Sequence, residues 1–122
     1  MHPSNLCGLL VLGISLMGVT QAHDQQTCKP ALAISGAHYS AMQLPKLERT
    51  WTALVSVEAS RCATSSGSFE IVYSMEKENA LDFEFRERFL WRPGTIKVSK
   101  DFWADEAVAA YRVDNVEPCP CR

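Results

Sequence analysis

Between residues 51 and 98 the chain alternates apolar and polar side chains with a period of two, which restricts this stretch to β-structure. The clearest run spans residues 81–92. Leu81, Phe83, Phe85, Phe89 and Trp91 share one phase, and Asp82, Glu84, Arg86, Arg88 and Arg92 the other. Glu87 breaks the apolar phase and Leu90 the polar one. Residues 51–57 repeat the rhythm with Leu54 as the exception, and residues 69–75 with Val72 as the exception. Successive side chains of a strand point to opposite faces, so each run builds an antiparallel strand with one buried and one wet face. A helix would scatter the same residues around every side.

Turn-forming residues fall between these runs. Residues 65–68 (Ser-Ser-Gly-Ser) separate the first two, and residues 77–80 the next two. Pro93-Gly94 closes a tight turn after Trp91, with proline fixing φ at the second turn position and glycine accepting positive φ at the third. Residues 95–99 then form the returning strand, with Ile96 and Val98 inward. Residues 107–116 add a further strand, and residues 32–34 and 38–39 one or two short ones. The alanine-rich residues 104–110 favour helix locally but are read as a turn into the last strand. Six or seven short strands with regular turns predict an all-β fold, a small antiparallel β-sandwich. In pattern and size the chain resembles immunoglobulin-like and fibronectin-like sandwiches, a likeness that implies architecture and not activity.

The N-terminus carries a different signal. Residues 6–19 are apolar or small and uncharged, too short to cross a bilayer core of about 30 Å as a helix. Thr20-Gln21-Ala22 offers small residues at a cleavage site. Residues 1–22 therefore read as a secretory signal peptide, although Met1–Asn5 lacks the usual lysine or arginine. The product, residues 23–122, is expected to be one secreted or periplasmic domain. All 12 Lys and Arg and all 14 Asp and Glu lie beyond the expected cut. That balance argues against nucleic acid as a partner, and no later apolar run is long enough to insert the mature domain in a membrane.

Removal of the signal peptide takes Cys7 with it and leaves Cys28, Cys62, Cys119 and Cys121. Four cysteines in a small exported domain imply two disulfides. Pairing Cys119 with Cys121 across Pro120 gives poor geometry. The two remaining connectivities both tie the C-terminal Cys119 and Cys121 to Cys28 and Cys62.

Chemistry is sparse in this sequence. His38 is the one histidine well inside the domain, and no serine stands in a nucleophile motif, so no enzyme activity and no cofactor is expected. Three places remain where function can sit. Asp101, Trp103 and Asp105 form an aromatic and acidic segment: if Ile96 and Val98 point inward, Phe102 shares their phase and Trp103 points the other way. There it either packs under a loop or at the sandwich edge, the plainer reading, or is exposed to stack on a sugar or anchor a protein. Arg86 and Arg88 line the charged face of the 81–92 strand. The four cysteines, as thiolates, offer a sulfur site for copper or zinc. The first expectation is an exported binding module for a protein or glycan. The rival is a metal-handling protein using the Cys28/Cys62/Cys119/Cys121 cluster.

Overall fold

The computed structural model describes residues 26–122; the segment read as a signal peptide lies outside the described residues. In chain order the strands are β1 (Thr27–Cys28), β2 (Ala31–Tyr39), β3 (Glu48–Glu58), β4 (Gly67–Lys77), β5 (Phe83–Trp91), β6 (Gly94–Trp103), β7 (Glu106–Asp114) and β8 (Cys119–Pro120). The period-two pattern is spent as expected. β3 buries Trp51, Ala53, Val55 and Val57, and β4 buries Phe69, Ile71, Tyr73 and Met75.

One three-stranded sheet has the order β2-β3-β6 and the other β5-β4-β7, with every pairing antiparallel. Their inner faces meet in one core. Trp51 of the first sheet stands edge-on to Tyr73 of the second at 4.9 Å between ring centroids, and Tyr73 meets Phe102 at 5.2 Å. Interlocked aromatic faces at such separations add to the burial of their apolar area. Trp91 is fully buried, and truncating a side chain of that size in a packed core costs about 3–5 kcal/mol.

Two expectations need correction. Pro93-Gly94 does not join paired strands, because β5 pairs with β4 whereas β6 pairs with β3. The turn instead carries the chain from one sheet to the other, with Gly94 at φ 105°, a conformation a side chain would strain. Sheet membership follows from long-range packing, which a local turn motif does not encode. Leu81, expected inward, lies before β5 in the loop from β4 and is 89% exposed. The short β2 segments are one strand, irregular between Ser35 and His38. Residues 104–105 are a turn and β7 begins at Glu106, so the alanine-rich segment leads into the last long strand and forms no helix.

Two of the exceptions in the pattern, Glu87 and Val72, are explained by the sandwich. Glu87 faces inward on edge strand β5, where its carboxylate meets Lys100 of β6 at 3.5 Å. Lys100 also lies 4.8 Å from the Phe85 ring centroid. This pair closes one open side between the sheets. The opposite side is closed by Tyr39 of β2, whose hydroxyl accepts a hydrogen bond from the Val108 backbone N–H at 2.9 Å. Val72 is buried on the outer face of central strand β4, with Arg86 and Arg112 as its cross-strand neighbours; long charged side chains beside an apolar one can shield it with their methylene stems. Leu54, on the outer face of β3, stays exposed.

Two disulfides gather the termini at one end. Cys28–Cys121 links residues 93 apart in sequence, and Cys62–Cys119 residues 57 apart. β1 pairs with β8 beside them, and Cys62 bridges to Cys121. Cys62 and Cys119 are buried in the core, whereas Cys28 and Cys121 are partly exposed. Nearby, Gly67 lies opposite Trp91, and a Cβ there would fall 2.7 Å from the indole Nε1. Only glycine lets strand β4 pass this close to the ring. The two disulfides point to an oxidising, extracellular compartment.

Candidate functional site

The end remote from the disulfides is formed by three connections: the β2–β3 loop, the β4–β5 loop and the β6–β7 turn. Each presents apolar side chains to solvent. Leu44 and Leu47 are exposed on the first, Leu81 on the second with Phe83 just beyond it, and Trp103 at the third. Trp103 is 53% exposed while its neighbour Phe102 is 5% exposed, the alternation expected for this pair.

Local hydrogen bonds hold Trp103 in place. Its backbone N–H donates to Glu106 Oε1 at 2.9 Å, and the Ala104 N–H donates to the Leu47 carbonyl at 2.8 Å. Glu106 Oε2 lies 3.8 Å from Lys77 Nζ. Arg49 sits 4.4 Å over the Tyr39 ring and donates to the carbonyls of Ala104 and Glu106. The turn is therefore tied to β3 and β4 while the indole faces outward.

Trp103 stands between two hollows. One, of about 200 Å³, is lined by Glu48, Phe83, Lys100, Asp101, Glu106 and other residues. The other is shallower and is bordered by Leu47, Lys77, Ala104 and Asp105. Asp101 Oδ1 accepts a hydrogen bond from the Thr50 hydroxyl at 2.7 Å. Asp105 is exposed at the turn. Asp101, Trp103 and Asp105 thus share one end of the molecule.

Arg86 and Arg88 lie elsewhere, on the outer face of the β5-β4-β7 sheet. Arg86 Nη1 reaches Asp114 at 2.9 Å and Glu70 at 3.0 Å, and Arg112 meets Glu84 at 3.3 Å. The Asp114 carboxyl is held below its usual pKa, first by the Arg86 hydrogen bond and then by the Asn115 backbone. Glu70 is lowered too, first by the Asn115 side chain and then by Arg86. Such exposed pairs order a surface and add little stability. Arg88, opposite Glu70, makes none of the ion pairs among the described residues.

The four cysteine sulfurs are bonded to one another. A sulfur in a disulfide is not a thiolate, so the oxidised protein does not offer the cluster that metal handling requires. His38 is exposed on β2, its Nδ1 3.0 Å from the Gly36 carbonyl. The deepest titratable group is Tyr73. Its hydroxyl is buried with no hydrogen-bond partner among the described residues, and burial pushes its pKa well above the usual tyrosine range.

Sequence reasoning missed Leu44, Leu47 and Phe83 as parts of this end and Tyr39 as its inner clasp. Leucines on both sides of Pro45, inside a turn segment, were the one available signal for the first loop. Set against protein-family models, curated proteins and solved structures, the chain matches none.

Proposed function

We propose that this chain is an exported, non-enzymatic β-sandwich interaction module, released from a signal peptide at residues 1–22, that binds a protein or glycan through the end centred on Trp103. The observation that carries this reading is the large exposed indole, fixed on a braced turn among other exposed apolar side chains. Clustered exposed apolar surface of this kind commonly marks a recognition site. A rigid aromatic also loses little conformational entropy when it is covered.

The module is further read as immunoglobulin-like or fibronectin-like. The strand connectivity supports this type: β2, β3 and β6 take the places of strands A, B and E, and β4 and β7 those of C and F. β5 stays beside β4, as strand C′ does in variable-type domains. The two disulfides accord with secretion or a periplasmic location.

The test uses the exported domain as immobilised bait in its native extracellular fluid, with Trp103→Ala and Arg88→Ala as parallel baits. The reading expects ligands held by the wild-type domain to be lost on Trp103→Ala and kept on Arg88→Ala. Retention unaffected by Trp103→Ala would contradict it.

A further inference from the structure

The charge of the Trp103 end separates it from the rest of the molecule. Residues 40–49, 76–83 and 100–106 hold half of the chain's 14 acidic side chains but only a third of its 12 basic ones. Three of those four cations are already committed. Arg49 is bonded to backbone carbonyls, Lys77 faces Glu106, and Lys100 faces Glu87. Lys46 alone of the four has neither an ion pair nor a side-chain hydrogen bond among the described residues. This end therefore joins exposed apolar surface to an excess of carboxylates.

The arrangement narrows the kind of partner. An acidic surface repels anionic lipid and nucleic acid and draws in cationic chains over about a Debye length. The leucines at the loop tips suit apolar side chains better than sugar hydroxyls. At the centre lies the cleft of about 200 Å³ with Phe83 and Trp103 as aromatic walls and Glu48, Asp101 and Glu106 as acidic ones; Lys100, which also lines it, is paired with Glu87. Glu48 pairs in register with Trp103, so its carboxylate is delivered beside the indole by the β3–β6 ladder. Among the described residues that carboxylate has no ion-pair partner, and one oxygen of Asp101 is occupied by Thr50. An aromatic face next to a carboxylate attracts a guanidinium or ammonium through the ring quadrupole and through charge.

From this geometry we infer that the Trp103 end receives a basic, amphipathic peptide segment of a protein partner. One arginine or lysine side chain sits in the Phe83–Trp103 cleft against Glu48 and Asp101, and apolar residues of the segment cover Leu44, Leu47 and Leu81. The inference rests on reading this end as a binding end and names its partner's chemistry.

A direct test titrates the exported domain with a fluorescein-labelled decapeptide of alternating arginine and leucine, followed by anisotropy. The same peptide with glutamate for arginine, and a neutral oligosaccharide, serve as comparisons. The arginine peptide is expected to bind at least about tenfold more tightly than the glutamate peptide, and more weakly as salt rises. Trp103→Ala should weaken it by about tenfold. Asp101→Asn, which keeps an acceptor for Thr50, should weaken it severalfold, so the conclusion does not depend on one variant. Equal binding of both peptides, or no response to either substitution, would overturn the inference. If the arginine peptide does not bind while Trp103→Ala still abolishes capture from native fluid, the basic-peptide assignment falls and the binding end stands. Preferential binding of the oligosaccharide at Trp103 would also replace the peptide.

Discussion

At the end where the termini gather, two disulfides tie β1 and the C-terminal tail to the core, and Cys62, Cys119 and Trp91 are almost wholly buried. At the other end, covalent ties give way to hydrogen bonds, and Leu44, Leu81 and Trp103 are more than half exposed. The same two sheets connect both ends, so the contrast lies in what the loops carry. The disulfide end spends its large side chains on packing, apart from Leu90 on the outer face of β5, whereas the other end leaves several of them in solvent. A domain arranged in this way can change its loop surface without losing the packing that holds it folded.

Substitutions ordered by size of effect put this contrast at risk. Replacing both Cys62 and Cys119 with alanine should have the largest effect, about 2–5 kcal/mol in urea unfolding. Loss of Cys28 and Cys121, which are less buried, should cost less, because it leaves the core filled; an equal or larger loss would show that chain restriction alone governs this end. Gly67→Ala forces a methyl onto Trp91 and should cost about 1–3 kcal/mol, read as a lower unfolding midpoint. Tyr39→Phe removes the acceptor for the Val108 N–H and should cost about 1–3 kcal/mol, with faster amide exchange at Val108. Tyr73→Phe should be neutral or slightly stabilising, since it removes a buried hydroxyl that has no hydrogen-bond partner among the described residues. A clear loss of stability there would mean that the hydroxyl is satisfied in solution.

The smallest effect concerns acid. Glu70 and Asp114 are lowered in the folded protein, so their contribution is present above the unfolded carboxylate value of about 4 and is lost as pH falls through the lowered folded values. Arg86→Met should lower stability slightly near neutral pH and flatten the acid limb of a stability-versus-pH curve, the variant and wild-type curves converging at the acid end. An unchanged acid limb would show that the ion pairs at Arg86 are not populated in solution.

Much of this architecture was legible in the sequence, because a half-buried strand writes its two faces into alternate residues. The buried phases of residues 51–57 and 69–75 and the disulfide framework followed from that pattern and from cysteine count, whereas the exposure of Trp103 did not, because alternation alone does not say whether a loop covers an outward side chain. The pairing of strands did not. Pro93-Gly94 has the chemistry of a tight turn whether it joins neighbours in one sheet or passes between sheets, and only the meeting of β5 with β4 and β6 with β3 decides. Glu87 read as a fault in the apolar phase because its partner, Lys100, is distant in sequence. The candidate end was half legible for the same reason. Asp101, Trp103 and Asp105 are adjacent in sequence, but Glu48, Leu47 and Phe83 arrive from other strands and loops. Residue spacing does not specify which of the two disulfide connectivities forms: β1 and β8 set Cys28 opposite Cys119, yet the disulfide of Cys28 runs to Cys121.

The central claim is that packing is held at the disulfide end and that Trp103 is free for recognition. Urea unfolding of Trp103→Ala in the oxidised protein tests it most directly. The midpoint and slope should match the wild-type protein to within about 0.5 kcal/mol in unfolding free energy, as for an exposed surface position. A loss of about 3 kcal/mol or more, the cost of emptying a packed tryptophan site, would place Trp103 in the core and contradict the account.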